Sequence, residues 1–293
     1  MKKKVLILGS TGLIGHQVYK YLYDKDFYEM YNISYRTKLT SDSIILDVRD
    51  EAKLVERITK IAPDFIINCI GVLIEGSNKN HENAIFLNSY FPHRLSRLAD
   101  QISSKLIHIS TDCVFSGRKG CAYIENDIPD GEGIYARTKA LGEVINNHHL
   151  TLRTSVIGPE LKKDGEELFH WFMSQSGDIS GFTQTIWSGV SSLELARAVN
   201  WSILNNITGL YHVTNNLSIS KYEILKLFKK HTNKDIKISA VNGSKLNKSF
   251  KDTRMLIDYE IPSYDQMILE MINLIMKRKS LYSNYNLKSF AKP

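Results

Sequence analysis

Residues 5–15 read Val-Leu-Ile-Leu-Gly-Ser-Thr-Gly-Leu-Ile-Gly, and this stretch decides the fold. Val5–Leu8 is a short apolar run of the kind a buried strand uses, and Leu13–Tyr23 carries helical spacing. Between them lie Gly9, Thr11, Gly12, Leu13, Ile14 and Gly15. In such a turn Gly9 permits the tight reversal, Gly12 lets a pyrophosphate approach the backbone, and Gly15 lets the helix close onto the strand. The helix N-terminus then offers free N–H groups and the positive end of its dipole to an anion. The stretch predicts a dinucleotide-phosphate site.

Working outward, short apolar runs alternate with helical patterns. Strands are expected at Tyr31–Tyr35, Ile44–Leu46, Phe65–Cys69, Leu106–Ser110 and Thr151–Ser155. Helices are expected at Glu51–Ile61, Asn83–Ile102 and from Tyr135 to about Asn147. This alternation predicts an α/β fold: a doubly wound parallel sheet with right-handed crossovers. After Gly158 the rhythm breaks. Helices follow at Leu168–Met173, Leu193–Leu204, Ser220–Lys230 (with Ser220 as N-cap and Glu223 at capping-box spacing) and Tyr264–Lys277. A last strand, Tyr211–Thr214, returns to the sheet. The expected organisation is a dinucleotide-binding domain over 1–157, with 186–216 returning to it. A smaller C-terminal substrate-binding lobe takes 158–185 and 217–278, and 279–293 is a loose basic tail.

Composition narrows the function classes. The 38 Lys and Arg exceed 31 Asp and Glu, giving a net charge of +7, but the basic residues are dispersed without aromatic interleaving. That pattern argues against a nucleic-acid surface. Cys69, Cys113 and Cys121 are odd in number and lack paired metal spacing, as expected of a reduced cytosol. The opening apolar run stops at Leu8, too short for a signal peptide, and no run reaches membrane-spanning length. The expectation is a cytoplasmic protein with no membrane span and no metal.

Arg36 follows the second expected strand, where an acidic residue would bind a ribose 2′-hydroxyl and an arginine accommodates a 2′-phosphate. NADPH is therefore the expected cofactor; the plainer alternative for Arg36 is a solvated loop arginine. Tyr135-Ala-Arg-Thr-Lys139 places a phenol and an ammonium one helical turn apart. The ammonium would lower the phenol's pKa, and the tyrosine would deliver a proton to a carbonyl oxygen. With 15 tyrosines in the chain this pair alone arises easily by chance. Its context is Ser110-Thr111-Asp112-Cys113-Val114-Phe115 at a strand end, with Thr111 lying 24 residues before Tyr135.

The Gly-x-x-Gly-x-x-Gly spacing resembles the extended short-chain dehydrogenase/reductases, a Rossmann-type superfamily. Ser110–Phe115, Tyr123-x-Glu125-x-Asp127-x-Pro129, Tyr135-x-x-x-Lys139, Gly142-Glu143, Leu152-Arg153-Thr154-Ser155, Gly209-Leu-Tyr211-His212-Val and Asp252-Thr253 closely resemble the dTDP-4-dehydrorhamnose reductase family. The resemblance runs to about residue 275. It implies Thr111 as oxyanion donor, Tyr135 as acid, and Lys139 as tuner and ribose anchor. It places Asp47 and Val48 beside the adenine, and Cys69, Ile70 and Gly71 in the turn under the cofactor. The implied reaction is NADPH-dependent reduction of a 4-keto-6-deoxy sugar on a nucleoside diphosphate, for polysaccharide precursors, by an NAD(P)-dependent oxidoreductase of the CH–OH class. A homodimer is also compatible.

Several positions depart from the family pattern. Val156 replaces a Trp near the sugar, Val190-Ser191 a Pro-Thr, and Asn247–Phe250 an Arg-Pro region. Trp187 either lines the sugar pocket or packs in the core, and Asp112 either tunes the site or caps the turn. His148 and His149 read as capping or surface residues, and His108 as a core histidine. Cys113 stands where these reductases have Tyr and the related dehydratases a Glu needed as acid, which argues against dehydration. Packing is the favoured reading for Cys113. The alternative is an acid/base role, as in GDP-L-fucose synthase, an epimerase/reductase that also needs a His after a Gly-Pro pair; here Gly158-Pro159 precedes Glu160. A different class remains: the regulatory beta subunit of methionine adenosyltransferase resembles the same family.

Overall fold

The computed structural model describes residues 2–254, 259–287 and 290. The chain divides into two compact units: residues 1–116, 128–153 and 196–211 form the first, and 117–127, 154–195 and 212–293 the second.

The first unit begins β1 (Lys3–Leu8), α1 (Leu13–Tyr23), β2 (Tyr28–Ser34), β3 (Ile44–Ile45), α2 (Glu51–Ile61) and β4 (Phe65–Asn68). It continues with α3 (Ile74–Lys79), α4 (His81–Ala84), a π-helical turn (Ile85–Tyr90), α5 (Phe91–Gln101), β5 (Lys105–Thr111), α6 (Gly133–Leu141) and β6 (Leu150–Thr154). Later come β7 (Val156–Ile157), α7 (Leu168–Ser174), β8 (Gly177–Phe182), β9 (Thr185–Trp187), β10 (Val190–Ser191), α8 (Ser192–Leu204), β11 (Gly209–His212), β12 (Ile219–Ser220), α9 (Lys221–Thr232), β13 (Ile236–Val241), β14 (Leu246–Asn247) and α10 (Tyr264–Lys277).

Seven strands form one sheet in the order β11-β6-β5-β4-β1-β2-β3. The β1–β2, β1–β4, β2–β3 and β4–β5 pairs are parallel, as the strand–helix alternation predicts. Leu6, Leu8, Ile66 and Leu106 of the strands meet Leu54, Ile58, Phe91, Leu95 and Leu98 of α2 and α5 in one buried cluster. Each such side chain contributes roughly 1.5–3 kcal/mol on burial, so this face anchors the strands whose carboxyl ends carry the motifs. Among the described residues no helix is long and apolar enough to cross a membrane.

Four local expectations need correction. The helix expected over 83–102 begins at His81 and carries the π turn. Pro92 has no N–H for the carbonyl four residues back, that of Asn88, so the ladder widens there. The helix expected to reach Asn147 stops at Leu141. Beyond Gly142 the chain turns back on itself, with Val144 N–H donating to Thr151 Oγ1 and the Asn146 side chain accepting from the His148 and His149 amides. Residues 117–127, with 154–157, 186–195 and 212–216, belong to the second unit: Tyr123 bridges to Phe250, and Glu125 accepts from Thr253 Oγ1 (2.6 Å) and the His212 amide (3.2 Å).

The fourth correction concerns the tail. Tyr282, Tyr285 and Phe290 are buried. The Tyr285 hydroxyl accepts from the Glu160 amide (2.8 Å) and meets His170 Nδ1 (2.8 Å), while Asn284 Nδ2 donates to the Glu160 carbonyl (3.0 Å). A basic composition concealed aromatic anchors spaced for docking; residues 288, 289 and 291–293 lie outside the described residues. The Ser220 cap is present, its hydroxyl accepting from the Glu223 amide (3.1 Å). In the second unit β8 pairs with β13, and β9 with β12 and β14; the apolar–polar alternation of Ile236-Lys-Ile-Ser-Ala was a signal for β13 that the sequence reading missed.

Candidate active site

In a parallel sheet, ligands bind beyond the carboxyl ends of the strands. Here β1, β4 and β5 end together and are tied to one another. The Cys69 amide donates to the Leu8 carbonyl (3.0 Å), the Ile70 amide to Asn68 Oδ1 (3.1 Å), and Asn68 Nδ2 meets His108 Nδ1 (3.1 Å). His108 is thus a core residue, held neutral by burial with the Lys139 charge adding to the effect.

Gly9 leaves β1 with φ +79°, a conformation few other residues adopt at low cost. A Cβ on Gly15 would lie 2.2 Å from the Gly9 carbonyl oxygen, whereas one on Gly12 would meet nothing closer than 3.4 Å. The turn is therefore closed where helix meets strand and open where an anion would approach. Gly12 is the N-cap of α1 and supplies no side-chain cap, so Leu13 and Ile14 begin the helix with amides free of capping. Gly15→Ala is expected to cost about 1–3 kcal/mol by overpacking, read as a lowered melting temperature. An unchanged melting temperature would contradict the close approach.

At the end of β2 the exposed Arg36 guanidinium lies 4.9 Å from the centre of the Tyr35 ring. Asp47 does not present a free carboxylate. It chelates Arg49, with Nε at 2.9 and 3.0 Å and a terminal guanidinium nitrogen at 2.5 Å, and that arginine also donates to the Tyr35 hydroxyl. This pairing holds the Asp47 carboxyl below the usual carboxylate range. Sequence reasoning missed Arg49, though its i+2 spacing from Asp47 was a signal. Val48 is buried, and Cys69 and Ile70 are half-buried beside Gly71. Burial pushes the Cys69 thiol up to about 12, so it stays protonated.

Thr111 ends β5, and α6 carries Tyr135 and Lys139 one turn apart. The Thr111 hydroxyl lies beside the Tyr135 phenol. Thr111 Oγ1 also accepts from the Cys113 amide and donates to Asp112 Oδ1, both at 3.2 Å. Asp112 therefore both borders the phenol electrostatically and closes the strand-end turn. Lys139 is buried, its ammonium donating to the Ile109 carbonyl at 2.8 Å. Burial brings it down to about 8, partly offset by Glu143 and the Cys69 thiol. The phenol runs opposite to the sequence expectation. Burial raises it above its ordinary value, Cys113 and Asp112 add to the rise, and Thr111 offsets part of it. Desolvation sets the direction here. At neutral pH the phenol carries its proton, the state an acid requires.

Other expected residues fall elsewhere. Trp187 is buried in the second unit, its indole N–H donating to Ser155 Oγ (2.7 Å) and its ring against Tyr264, so the packing alternative describes it. Val156 is half-buried on β7, paired with Val190. Cys113 is half-buried. Glu160 Oε1 accepts from the Glu167 amide (2.9 Å) and closes its own loop, unlike a free acid/base. Asp100, His148 and His149 converge, but His149 Nδ1 accepts the Leu106 N–H (3.1 Å). The neutral ring then bears its proton on Nε2, which faces the Ser96 carbonyl (3.2 Å) and Asp100 as a donor rather than a metal ligand. His149 is fully buried, not a surface residue.

Comparison with known proteins follows the same lines. The chain is 28% identical to methionine adenosyltransferase 2 subunit beta of Xenopus laevis over 239 residues, 76% of this chain and 70% of that one. It is 35% identical to the dTDP-4-dehydrorhamnose reductase of Mycobacterium tuberculosis over 113 residues, 37% of this chain and 36% of that one. The crystal structure of the dTDP-4-dehydrorhamnose reductase of Bacillus anthracis in complex with NADP shares the fold, with TM-score 0.81 and 23% identity over 94% of this chain and all of that one. The sequence model of one family, described as RmlD substrate binding domain, matches residues 2–255. The chain belongs to the RmlD substrate-binding domain family.

Proposed function

We propose that this protein is an NADPH-dependent oxidoreductase that reduces the keto group of a nucleoside-diphosphate 4-keto-6-deoxy sugar, in polysaccharide precursor synthesis. The observation that carries the reading is the protonated Tyr135 phenol beside Thr111, on the same helix as a buried Lys139, at the strand ends where the glycine turn opens. The turn fits a dinucleotide: its Gly12 side is open and the α1 amides are uncapped. Gly9 to Gly15 would hold the pyrophosphate, Asp47 and Val48 the adenine, Cys69 to Gly71 the nicotinamide half, and Lys139 its ribose. When bound, the cofactor supplies a hydride to the keto carbon.

The chain's own residues do the rest. Thr111 turns its hydroxyl from Asp112 Oδ1 to donate a hydrogen bond to the keto oxygen, and the Tyr135 hydroxyl gives that oxygen its proton. The resulting phenolate recovers a proton from solvent. The Lys139 ammonium stabilises the phenolate during that interval, the one moment at which a buried negative charge needs it. Consumption of NADPH with dTDP-4-keto-6-deoxyhexose tests the reading; no consumption with any 4-keto sugar nucleotide would contradict it.

Arg36 sets the cofactor preference. A charge-assisted bond to the 2′-phosphate contributes roughly 1.5–3 kcal/mol, so Arg36→Ala should reduce the NADPH-over-NADH preference about tenfold or more. Titration of both cofactors into both proteins reads this, and an unchanged ratio would clear Arg36 of the role. The likeness to methionine adenosyltransferase 2 subunit beta favours one second reading, a regulatory subunit. It predicts cofactor binding without consumption.

A further inference from the structure

Beside Arg36 stands a second arginine that the proposed mechanism does not use. Arg36 and Arg49 are both exposed, and both guanidiniums lie near the exposed Tyr35 ring, 4.9 and 5.8 Å from its centre. The main chain brings them together next to the glycine turn. The Gly9 amide donates to the Ile33 carbonyl, and the Leu46 amide to the Ser34 carbonyl, each at 2.9 Å. Tyr35-Arg36 and Asp47-Val48-Arg49 therefore lead out of β2 and β3 beside the end of β1. Arg49 is also held in place. Its Nε and one terminal nitrogen chelate Asp47, and that same nitrogen donates to the Tyr35 hydroxyl (3.2 Å). The Asp47 carboxylate accepts the Arg49 amide as well (3.0 Å). An exposed ion pair of this kind adds little stability. What it supplies is a fixed guanidinium with donors to spare. Among the described residues the other terminal nitrogen of Arg49 makes no hydrogen bond, and neither does the Arg36 guanidinium. Arg36, Arg49 and Asp47 leave one positive charge in excess, and two guanidiniums around one ring repel each other until an anion joins them.

We propose that Arg49 is a second specificity-determining residue for the cofactor: it binds the 2′-phosphate together with Arg36, and Asp47 is the positioning residue that holds it there. A phosphate monoester carries about −1.5 to −2 charges at pH 7, enough to engage both guanidiniums, and a planar fork matches its oxygens. Because Asp47 and Tyr35 already fix the Arg49 side chain, little rotamer freedom is lost on binding. The Asp47 carboxylate is occupied by an arginine and does not select a ribose 2′-hydroxyl.

This role rests on the dinucleotide reading of the glycine turn, and its test needs no turnover. Calorimetric titration with adenosine 2′,5′-bisphosphate and with 5′-AMP gives a ratio of affinities that the 2′-phosphate alone sets. Arg49→Met should reduce that ratio about tenfold. Asp47→Asn/Arg49→Gln removes the arginine but leaves the net charge of the pair at zero, and the ratio should fall as far. An arginine that only neutralised Asp47 would leave the double variant at the wild-type ratio. An unchanged ratio in Arg49→Met, or a wild-type ratio in the double variant, overturns the proposal. Wild type that binds neither nucleotide overturns the dinucleotide reading and the proposal with it. Wild type that prefers the bisphosphate, with variants that keep the preference, leaves the cofactor reading standing and clears Arg49 of the role.

Discussion

Tyr135→Phe should lower kcat by about 100- to 10,000-fold, the usual contribution of a positioned general acid, while cofactor affinity stays unchanged. The phenyl ring keeps the packing on α6 and removes only the hydroxyl beside Thr111. Because burial holds the phenol protonated, wild type has the acid in the required form across the neutral range, and the variant has no substitute within the Thr111–Asp112 turn. Single-turnover rates together with cofactor titration separate the two effects. Near-normal turnover in Tyr135→Phe would show that another group protonates the product.

Lys139→Met should abolish most turnover and yet raise the melting temperature. A lysine at about 8 when folded and about 10.4 when unfolded binds fewer protons folded than unfolded between those values. Stability therefore rises with pH across that window, and below it the folded protein bears the full cost of a buried ammonium. Methionine fills similar volume without the charge, so at neutral pH the gain should be roughly 1–2 kcal/mol, the cost less the lost bond to Ile109. That corresponds to a few degrees. In wild type the same titration predicts that kcat/KM falls as pH rises through about 8. Thermal unfolding and a pH–rate profile read both effects; a variant less stable than wild type at neutral pH would show that Lys139 is a structural charge, not a functional one.

The reductive site was legible in the sequence where local chemistry is self-contained. Gly9 to Gly15, the strand-end Thr111 and the Tyr135–Lys139 spacing each encode their geometry within a few residues. Contacts distant in sequence were not legible. Glu143 finds Arg153 and Ser110, and Trp187 spends its N–H on Ser155. The phenol's direction of shift was missed because the Tyr135–Lys139 spacing says nothing of burial, which sets that direction. Pro92 marked the π turn, and Asn88 at that turn ties the cofactor turn to α6, its side chain bonding both main-chain groups of Val72 and Thr138 Oγ1. The docked tail was hidden because its anchors, Tyr282 and Tyr285, are interleaved with polar residues that stay outside.

In the proposed reaction the hydride goes to one carbon and the proton comes from Tyr135. Reduction of a nucleoside-diphosphate 4-keto-6-deoxy sugar with NADPH carrying deuterium at the transferable position, followed by NMR of the product, tests it most directly. One deuterium is expected at C4, and, when unlabelled NADPH is used in heavy water, none at the flanking ring carbons. Absence of label at C4 would contradict the reductase reading. Solvent deuterium at a flanking carbon, lost in Cys113→Ser, would show that the enzyme epimerises before it reduces.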